Sequence, residues 1–404
     1  MAIEIEYTTG YAGTGKSHTL IGLVDTLPLE TTVVIAPTHK ALARLRAHLP
    51  GGDKLEIKTI HALLGWIPTI NENAQRVEHI DSTHKLEKEL DDYTHVIIDE
   101  AGMMSEEMFT EIISKIETKL FEDEEQGAKE KHIKIHCFLD PYQLLPVKGQ
   151  QIQTDPSTTT HLTTQYRSES LDVVALYTKF VHYLEGINSK DLSTPYSENV
   201  KPLDISQFKR GDRMLAYTNK AVGEWNQRIA KKLGITGYEG QEVQLGSMLD
   251  TKLCVKFVTP TLSELLQWYH SKQLKLQNSQ MSAKFVESNL DALIKNKNIQ
   301  FIEAMDGKVY PVIVGVGKAN IVLKEAKQKA IENRKMFKHV YALGRAYVMD
   351  YSFATTVHKS QGSEFSSVFI DKQDIQKSII NKYYETYARL MYVSLSRAKT
   401  TIWI

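Results

Sequence analysis

Short apolar runs alternate with amphipathic segments along the first 170 residues of the chain. Each run is rich in Ile, Val or Leu and leads into a loop, and the runs lie at residues 3–8, 31–36, 95–98 and 133–139. The segments between them place apolar residues at helical spacing. Strands that alternate with helices in this way predict a parallel sheet of the α/β class. We therefore predict one α/β core from residues 1–66 and 93–170.

The first of these runs has a pattern that the others lack. Residues 3–7 read Ile-Glu-Ile-Glu-Tyr, so apolar and acidic side chains alternate. A central strand of a parallel sheet is normally apolar on both faces. Either the first residues of this strand project beyond the sheet, or one face of the sheet is exposed to water.

A second α/β core is predicted from the C-terminal half of the chain. A strand-like run begins at Arg213 and leads into a helical segment at about 220–233, and strands and a helix return between 352 and 404. Residues 236–349 interrupt this order with short strand-like pieces among helical segments rich in Lys, Gln and Asn. We predict a second core from 171–235 and 350–404, with an accessory domain inserted at 236–349.

Residues 67–92 form a polar interruption of the first core. The turn signal Asn-Glu-Asn at 71–73 separates two strand-like stretches, 67–70 and 75–80. Two such stretches around a turn predict a β-hairpin. We expect a small hairpin insertion here.

Residues 10–17 carry the most specific motif of the chain. They read Gly-Tyr-Ala-Gly-Thr-Gly-Lys-Ser, which fits the phosphate-loop pattern G-x-x-x-x-G-K-[ST] between a strand and a helix. The backbone N–H groups of Gly13, Thr14 and Gly15 would curl around a phosphate, and the following helix would turn its N-terminal end toward the same anion. Lys16 would hold the β- and γ-phosphates of a nucleotide, and the Ser17 hydroxyl would ligate Mg²⁺.

The composition is that of an ordinary globular protein, with 42% hydrophobic and 24% charged residues in a chain of 404. No apolar run reaches the roughly 18 residues of a membrane span, and no signal peptide precedes the phosphate loop. The two cysteines, Cys137 and Cys254, give no framework for disulfides or zinc. We expect a cytoplasmic protein without a membrane partner. The 49 basic and 49 acidic residues balance, so a nucleic acid would have to be held by a local basic groove.

Five further residues are candidates for chemistry beside the phosphate loop. Asp99, at the end of an apolar strand, would bind Mg²⁺, and its neighbour Glu100 would polarise an attacking water. Gln143 follows the next strand, where its amide could sense the γ-phosphate. Arg167 and Arg397 each offer a planar, permanently charged guanidinium for the charge of a transition state. Taken singly, each of these residues would equally suit a loop cap or a surface salt bridge.

The ordered set of motifs resembles that of superfamily 1 helicases. Residues 357–365, Val-His-Lys-Ser-Gln-Gly-Ser-Glu-Phe, resemble in particular the RecD and Dda branch, group 1B. The motifs lie at 10–17, 36–40, 59–61, 98–100, 140–147, 165–167, 355–364 and 392–399, and the chain length suggests a compact, viral version. The resemblance implies two RecA-like phosphate-loop cores, the first with a hairpin insertion that acts as a strand-separating pin and the second with a small β-barrel insertion.

The resemblance also implies roles for individual residues. ATP would lie in the cleft between the cores, with Arg167 and Arg397 as fingers on the γ-phosphate. Gly362 would line the γ-phosphate side of the cleft, and Glu364 would lie near the ribose. The residues along the DNA track would be Thr38, His39, Thr59 and His61 in the first core and Thr356 and His358 in the second.

The function that the resemblance implies is a monomeric, ATP-driven translocase on single-stranded DNA and a 5′-to-3′ DNA helicase in replication, recombination or repair. Its partners would be single-stranded or forked DNA and single-strand-binding or replication proteins. Two alternatives stay open: an RNA helicase of the same superfamily, and an ATP-gated DNA clamp or loader that does not unwind. Only nine residues precede Gly10, so we expect no adenine contact from the glutamine segment that family members carry there.

Overall fold

Strands and helices follow one another in the predicted alternation. The computed structural model describes residues 2–49, 54–64, 66–70, 76–80, 93–125, 132–146, 149–166, 170–187, 191–245, 251–260, 298–305, 307–315, 321–322, 324–325, 328, 347–380 and 383–404. The strands are β1 (Ala2–Gly10), β2 (Thr32–Ala36), β3 (Glu56–Thr59), β4 (Trp66–Ile70), β5 (Arg76–Ile80), β6 (His95–Ile98), β7 (His132–Leu139), β8 (Thr159–Leu162), β9 (Val200–Lys201), β10 (Arg213–Ala216), β11 (Glu242–Leu245), β12 (Thr251–Phe257), β13 (Gln300–Ala304), β14 (Val309–Val314), β15 (Tyr347–Tyr351), β16 (Ala354–Thr356), β17 (Phe365–Ile370) and β18 (Ala398–Trp403). Helices connect them: α1 (Lys16–Val24), α2 (His39–Arg46), α3 (Ile60–Leu63), α4 (Glu106–Glu125), α5 (Leu171–Leu184), α6 (Asn219–Lys232), α7 (Val357–Ser360), α8 (Lys372–Gln376) and α9 (Glu385–Leu395).

The chain forms two compact units, one of residues 1–203 and 360–404 and the other of residues 204–359. This grouping differs from the predicted limits, which assign 171–203 and 360–404 to the second core. The physical reason is long-range packing within the first unit. Helix α5 is bonded to the predicted first core, because the side-chain amide of Gln165 donates to the hydroxyl of Tyr177. Helix α9 packs on α5, with the rings of Phe180 and Tyr387 6.3 Å apart. The hydroxyl of Tyr392 in α9 also bonds to Asp140, which follows β7.

The sheet that carries the phosphate loop has six parallel strands in the order β3-β2-β6-β7-β1-β8. Helix α4 packs its Ile112 and Ile116 against one face, and Leu20 of α1 and Leu45 of α2 pack against the other. The strand order brings the C-terminal ends of β1, β6 and β7 together at one edge. That edge is where an open α/β sheet places its ligands.

The acidic alternation in β1 is explained by the pairing of β1 with β7. Glu4 lies opposite Lys134 and Glu6 opposite His136 in the register of the two strands, so both glutamates lie within the sheet. Lys134 Nζ is 3.4 Å from a Glu4 carboxylate oxygen and 2.5 Å from a Glu6 oxygen, and His136 Nδ1 is 3.1 Å from Glu6. Of the two alternatives, the exposed face is therefore the correct one.

Three further strands of the first unit come from the middle and from the C-terminal part of the chain. β17 pairs with β18 and β18 with β9, all in parallel.

The predicted hairpin is present as the antiparallel pair of β4 and β5, whose last residue pair is Ile70 with Arg76. The turn at 71–73 and residues 81–92 lie outside the described residues, and the role of the hairpin as a pin stays a prediction.

The second unit contains the predicted small β-barrel. Strands β11 to β15 close into a barrel around buried side chains such as Val243, Cys254, Ile302 and Met349. Its ladders are antiparallel except for β14 with β15. In the same unit β10 and β16 pair in parallel beside α6. Residues 261–297, in the predicted accessory domain, lie outside the described residues.

Among the described residues, no helix combines the length and the apolar character that a membrane span requires.

Candidate nucleotide-binding site

The phosphate loop joins β1 to α1 in the conformation that its glycines permit. Gly13 and Gly15 have φ values of 87° and 89°, in the left-handed region that favours glycine, and Gly15 is the N-cap of α1. A Cβ atom at Gly10 would lie 2.4 Å from Thr14 Oγ1, so only glycine fits there. Thr14 is buried and its hydroxyl donates to the Tyr11 carbonyl at 2.9 Å. The Thr14 N–H also donates to the Tyr11 carbonyl, at 3.3 Å, and the loop leads directly into the N-terminal end of α1, where an anion is favoured.

The ammonium of Lys16 lies at the centre of this loop. Its Nζ donates hydrogen bonds to the carbonyls of Gly10 at 2.6 Å and Tyr11 at 2.8 Å, and it lies 3.8 Å from Asp140 Oδ2. These bonds hold a positive charge beside the N-terminal end of α1. The position suits the β- and γ-phosphates that the sequence assigns to Lys16.

The two predicted carboxylates follow β6 at the same edge of the sheet. Asp99 is buried, and its Oδ1 accepts a hydrogen bond from the Glu100 N–H at 3.0 Å. Burial and the charge of Glu100 raise the pKa of Asp99 to about 6, against the opposing effect of Arg44. Glu100 has a φ of 52°, and among the described residues it is the only one other than glycine with positive φ. Backbone strain of this kind is frequent at functional sites, which fits the catalytic role predicted for Glu100.

Arg44 of α2 contacts Asp99 and Glu100, and the sequence motifs gave no indication of this residue. Its Nη2 donates to Ser17 Oγ at 3.1 Å and to Asp99 Oδ2 at 3.2 Å, and it lies 3.8 Å from Glu100 Oε1. A single guanidinium nitrogen thus contacts both residues predicted to hold Mg²⁺. The only sequence signal was an arginine in the helix after the apolar strand β2, which is too common to be read as functional.

Gln143 is held in a network that reaches the C-terminal segment. Its side-chain amide donates to Asp140 Oδ2 at 3.4 Å, and its Oε1 accepts from Gln361 Nε2 at 3.3 Å. Arg389 Nη1 donates to the carbonyls of Pro141 at 2.7 Å and Gln143 at 2.8 Å. The loop with the predicted γ-phosphate sensor is therefore clamped by α9.

A cavity of about 630 Å³ brings the predicted site residues together. From the first part of the chain it is lined by Gly13, Gly15, Lys16, Ser17, Asp99 and Glu100. Gln143, Gly362, Glu364 and Arg397 complete the set. All of these residues belong to the first unit. A volume of this size is within the usual range for a small-molecule site.

Arg397 is the predicted finger that the structure describes. It is 2% exposed, and its guanidinium donates to the carbonyls of Val393 at 3.2 Å and Ser363 at 3.3 Å. Glu364 lines the same cavity and lies 3.5 Å from Lys399 Nζ. The second predicted finger, Arg167, lies outside the described residues.

Tyr166, next to that residue, lies against the phosphate loop. Its backbone N–H donates to the Gly13 carbonyl at 2.8 Å, and its ring would touch a Cβ atom at Gly15 at 3.4 Å. Gln165 donates to the Ala12 carbonyl at 2.8 Å and so fixes the same segment. Tyr166 is 74% exposed and lines the cavity, so it offers an aromatic surface beside the phosphate loop.

The residues predicted for the DNA track of the first core lie on two neighbouring strands. Thr38 follows β2, and Thr59 ends β3, which pairs with β2 in parallel. Each hydroxyl accepts a hydrogen bond from the N–H three residues later, at 3.2 Å and 3.1 Å, and so caps a helix. His61 lies half-buried in α3. The side chain of His39 lies outside the described residues, and the DNA contacts of all four stay a prediction.

The two predicted track residues of the second core lie in the second unit. Thr356 ends β16, and its hydroxyl accepts from the Lys359 N–H at 3.3 Å. His358 is exposed, with its ring 6.1 Å from that of Tyr217. Thr356 thus caps α7 as Thr38 and Thr59 cap their helices, and the DNA contacts of Thr356 and His358 stay a prediction.

Known proteins resemble the chain in sequence and in fold. Residues 4–129 match a family model described as an AAA domain, and residues 351–404 match the UvrD-like helicase C-terminal domain. Bacteroides Pif1 bound to single-stranded DNA is 17% identical with a TM-score of 0.50, and the alignment covers 99% of this chain and 88% of that chain. A structure of two coordinating Pif1 helicases at forked double-stranded DNA is 18% identical with a TM-score of 0.48, covering 99% and 87%.

A curated relative is known only as an uncharacterised protein of Acanthamoeba polyphaga mimivirus. It is 33% identical over 159 residues, which are 36% of this chain. The chain's match spans 29% of that protein's length, less than a third.

The fold is of the α/β class with two RecA-like domains, as predicted. This follows from the parallel sheet, the phosphate loop and the match to the fold of Bacteroides Pif1. The likeness to Bacteroides Pif1 is a likeness of fold. Of the two family models, the one that matches residues 351–404 describes a helicase domain.

Proposed function

We propose that the chain is an ATP-dependent translocase on single-stranded DNA and a 5′-to-3′ DNA helicase. The observation that carries the proposal is that one cavity joins Lys16, the Asp99–Glu100 pair, Gln143 and Arg397. A cation for the phosphates, a carboxylate for the water and an arginine for the transition state are the parts that phosphoryl transfer needs. The match to the UvrD-like helicase C-terminal domain over residues 351–404 supports the coupling of this chemistry to a helicase.

Each of these cavity residues would have a distinct role in ATP hydrolysis. Lys16 and the loop N–H groups would bind the β- and γ-phosphates, which orients the terminal phosphate. Glu100 would accept a proton from the attacking water. Arg397, already buried and held by two backbone carbonyls, would stabilise the charge that develops on the transferred group.

The groups predicted to hold Mg²⁺ fit a divalent cation. The Ser17 hydroxyl and the Asp99 carboxylate both approach one cationic nitrogen of Arg44 within 3.2 Å, so their oxygens converge. Hard oxygen ligands from one or two side chains, completed by nucleotide phosphates, are the usual set for Mg²⁺. Bound there, the cation would neutralise phosphate charge.

Helix α2 supports a link between this chemistry and DNA. It begins at His39, in the predicted DNA track, and it carries Arg44 in the cavity. Gln143 offers a second link, because its bond to Gln361 joins the loop after β7 to the motif around residues 355–364. A change at the γ-phosphate would reach both the DNA track and the C-terminal segment through these contacts.

From the resemblance to superfamily 1B helicases we infer the 5′-to-3′ polarity, a monomeric state, a cytoplasmic location and a role in replication, recombination or repair. From the same resemblance we infer single-strand-binding or replication proteins as partners. The choice of DNA has one further support, since the Bacteroides Pif1 structure of similar fold was determined with single-stranded DNA.

The experiment that tests the proposal is the ATPase rate without nucleic acid, with single-stranded DNA and with single-stranded RNA. We expect slow hydrolysis by the protein alone and acceleration by DNA. The reason is that DNA bound to both predicted cores would favour the conformation in which the ATP cleft between them is closed. Lys16→Ala should abolish hydrolysis, and Arg397→Ala should bind ATP but lose the acceleration. Arg46→Ala is the matched control, since Arg46 bonds to the Ile57 carbonyl away from the cavity. A rate that does not respond to DNA would contradict the translocase, and acceleration by RNA alone would favour an RNA helicase.

A further inference from the structure

The guanidinium of Arg44 lies where two elements of the nucleotide site meet. Ser17 is on α1 and Asp99 follows β6, and one nitrogen of Arg44, on α2, bridges them at 3.1 Å and 3.2 Å. The same nitrogen is 3.8 Å from Glu100, and the side chain is 25% exposed. Arg44 therefore supplies the positive charge next to two carboxylates at the end of β6.

This charge is permanent in the surroundings that the fold provides. Burial would lower the pKa of Arg44, but the charges of Asp99 and Glu100 outweigh that effect and hold the pKa above its ordinary value. The inner nitrogen, Nε, is buried without a hydrogen-bond partner in the described part of the chain. The contacts that hold the guanidinium are therefore those of Nη2 with Ser17, Asp99 and Glu100.

Two cations cannot occupy this position at once. A Mg²⁺ ion binds its oxygen ligands at about 2.0–2.1 Å, in a near-octahedral shell. The Arg44 nitrogen lies within 3.2 Å of both Ser17 Oγ and Asp99 Oδ2, the two oxygens that such a cation would use. A divalent cation that binds these two oxygens therefore competes with the guanidinium for them.

We propose that Arg44 is a resident counter-ion to Asp99 and Glu100 that gives up its contacts with Ser17 and Asp99 when a nucleotide binds with its cation. This inference rests on the proposed nucleotide-binding function and assigns a positioning role to a residue outside the helicase motifs. Arg44 keeps Asp99 and Ser17 together and offsets the repulsion between Asp99 and Glu100 before binding. Its displacement then sets how strongly nucleotide affinity depends on the cation.

The test is a binding measurement that needs no hydrolysis. The dissociation constant of a fluorescent ADP analogue is measured with Mg²⁺ and with EDTA, at pH 8 so that the carboxylates stay ionised. The ratio of the two constants, EDTA over Mg²⁺, reports the gain from the cation. In Arg44→Ala the cation displaces nothing, and without it both carboxylates face the phosphates uncompensated. Both effects raise the ratio, by about tenfold or more for one charge-assisted contact.

Two further variants make the result specific. Arg44→Gln keeps a polar side chain but loses the charge, so it should raise the ratio in the same direction. Arg46→Ala removes an arginine from the same helix whose guanidinium bonds to the Ile57 carbonyl instead, and it should leave the ratio unchanged. Thermal unfolding shows whether each variant folds. If only one of the two Arg44 variants folds, its ratio alone tests the proposal.

The outcomes separate this inference from the proposed function. A ratio in the folded Arg44 variants equal to or below that of the unmodified chain overturns the counter-ion role, while nucleotide binding itself stands. Failure of the unmodified chain to bind the ADP analogue under either condition would instead overturn both the proposed function and the inference. A ratio that rises in both Arg44 variants and not in Arg46→Ala supports the counter-ion role of Arg44.

Discussion

The phenol of Tyr392 donates a 2.6 Å hydrogen bond to Oδ2 of Asp140 and accepts one of 2.7 Å from the backbone N–H of Ala12. These residues belong to three separate motifs: Ala12 to the phosphate loop, Asp140 to the segment after β7, and Tyr392 to α9. Tyr392 is fully buried, and burial raises the pKa of its hydroxyl well above the ordinary value. The hydroxyl thus stays protonated and fixes the phosphate loop to the C-terminal segment.

Replacement of Tyr392 by Phe should therefore loosen the phosphate loop. The change leaves the Ala12 N–H and an Asp140 oxygen buried without this partner, which costs about 1–3 kcal/mol of stability. We expect a lower melting temperature and weaker ADP binding. Tyr387→Phe is the control, because Tyr387 lies in the same helix and packs its ring against Phe180. Equal behaviour of the two variants would show that the Tyr392 hydroxyl contributes nothing to the loop.

The exposed ring of Tyr166 should serve as a stacking surface for the nucleotide base. Every base has a π-face, and stacking on an aromatic ring contributes about 1–3 kcal/mol per base. Tyr166→Ala should therefore weaken ATP and GTP binding by a similar factor, and Tyr166→Phe should retain both. In the unmodified chain we expect GTP to support activity within about one order of magnitude of ATP. Loss of ATP binding alone on Tyr166→Ala would mean that this ring takes part in reading adenine.

The hairpin of β4 and β5 should be needed for strand separation and not for hydrolysis. The prediction is tested by shortening the connection between Ile70 and Arg76, the last residue pair of the hairpin. Translocation uses the cores, whereas separation needs a rigid obstacle at the fork, so DNA-stimulated ATPase should persist while unwinding falls. Both activities are measured on one preparation, with single-stranded DNA and a forked duplex. Loss of ATPase would make the hairpin structural, and unchanged unwinding would place the wedge elsewhere, for example in residues 236–349.

Asp350 of β15 is predicted to destabilise the second unit at neutral pH. Burial raises its pKa to about 6, while its Oδ1 accepts a hydrogen bond from the Tyr351 N–H at 2.8 Å. Because the folded pKa lies above the unfolded value, folding favours the protonated form. The stability that this provides is present at low pH and is lost as the pH rises through about 6.

Asp350→Asn keeps the acceptor and removes the charge. The free energy of unfolding, measured with urea, should rise by about 1–3 kcal/mol at pH 8 and change little at pH 4. A gain of the same size at both pH values would point to altered packing rather than to the charge. No gain at pH 8 would contradict the assignment of a destabilising carboxylate.

The linear motifs predict the parts of the site that are close in sequence. Lys16 and Ser17 follow from the spacing of one loop, and Asp99 follows from its place at the end of an apolar strand. The fold class is equally accessible, because the alternation of strands and helices is a local pattern. The pattern of β1 left two alternatives for Glu4 and Glu6, and only the partner strand, with Lys134 and His136, decides between them.

Contacts between distant residues could not be predicted in this way. Tyr392 and Asp140 are separated by 252 positions, and each belongs to a motif that gave no reason to pair them. Arg44 reaches the cavity because of the rotation of α2 about its axis, which the packing of Leu42 and Leu45 against β2 and β3 fixes. The grouping of α5 and α9 with the first unit likewise arises from side-chain packing across the chain.

The most direct test of the central claim is strand displacement on a forked DNA duplex with ATP, for the unmodified chain and for Glu100→Gln. We expect the unmodified chain to unwind the fork from a 5′ single-stranded tail. We expect Glu100→Gln to bind ATP but to unwind and hydrolyse about 10²–10⁴ times more slowly, the usual effect of removing one general base. The same fork made of RNA should not be unwound. No unwinding of the DNA fork by a chain that hydrolyses ATP, or hydrolysis by Glu100→Gln at the unmodified rate, would contradict the central claim.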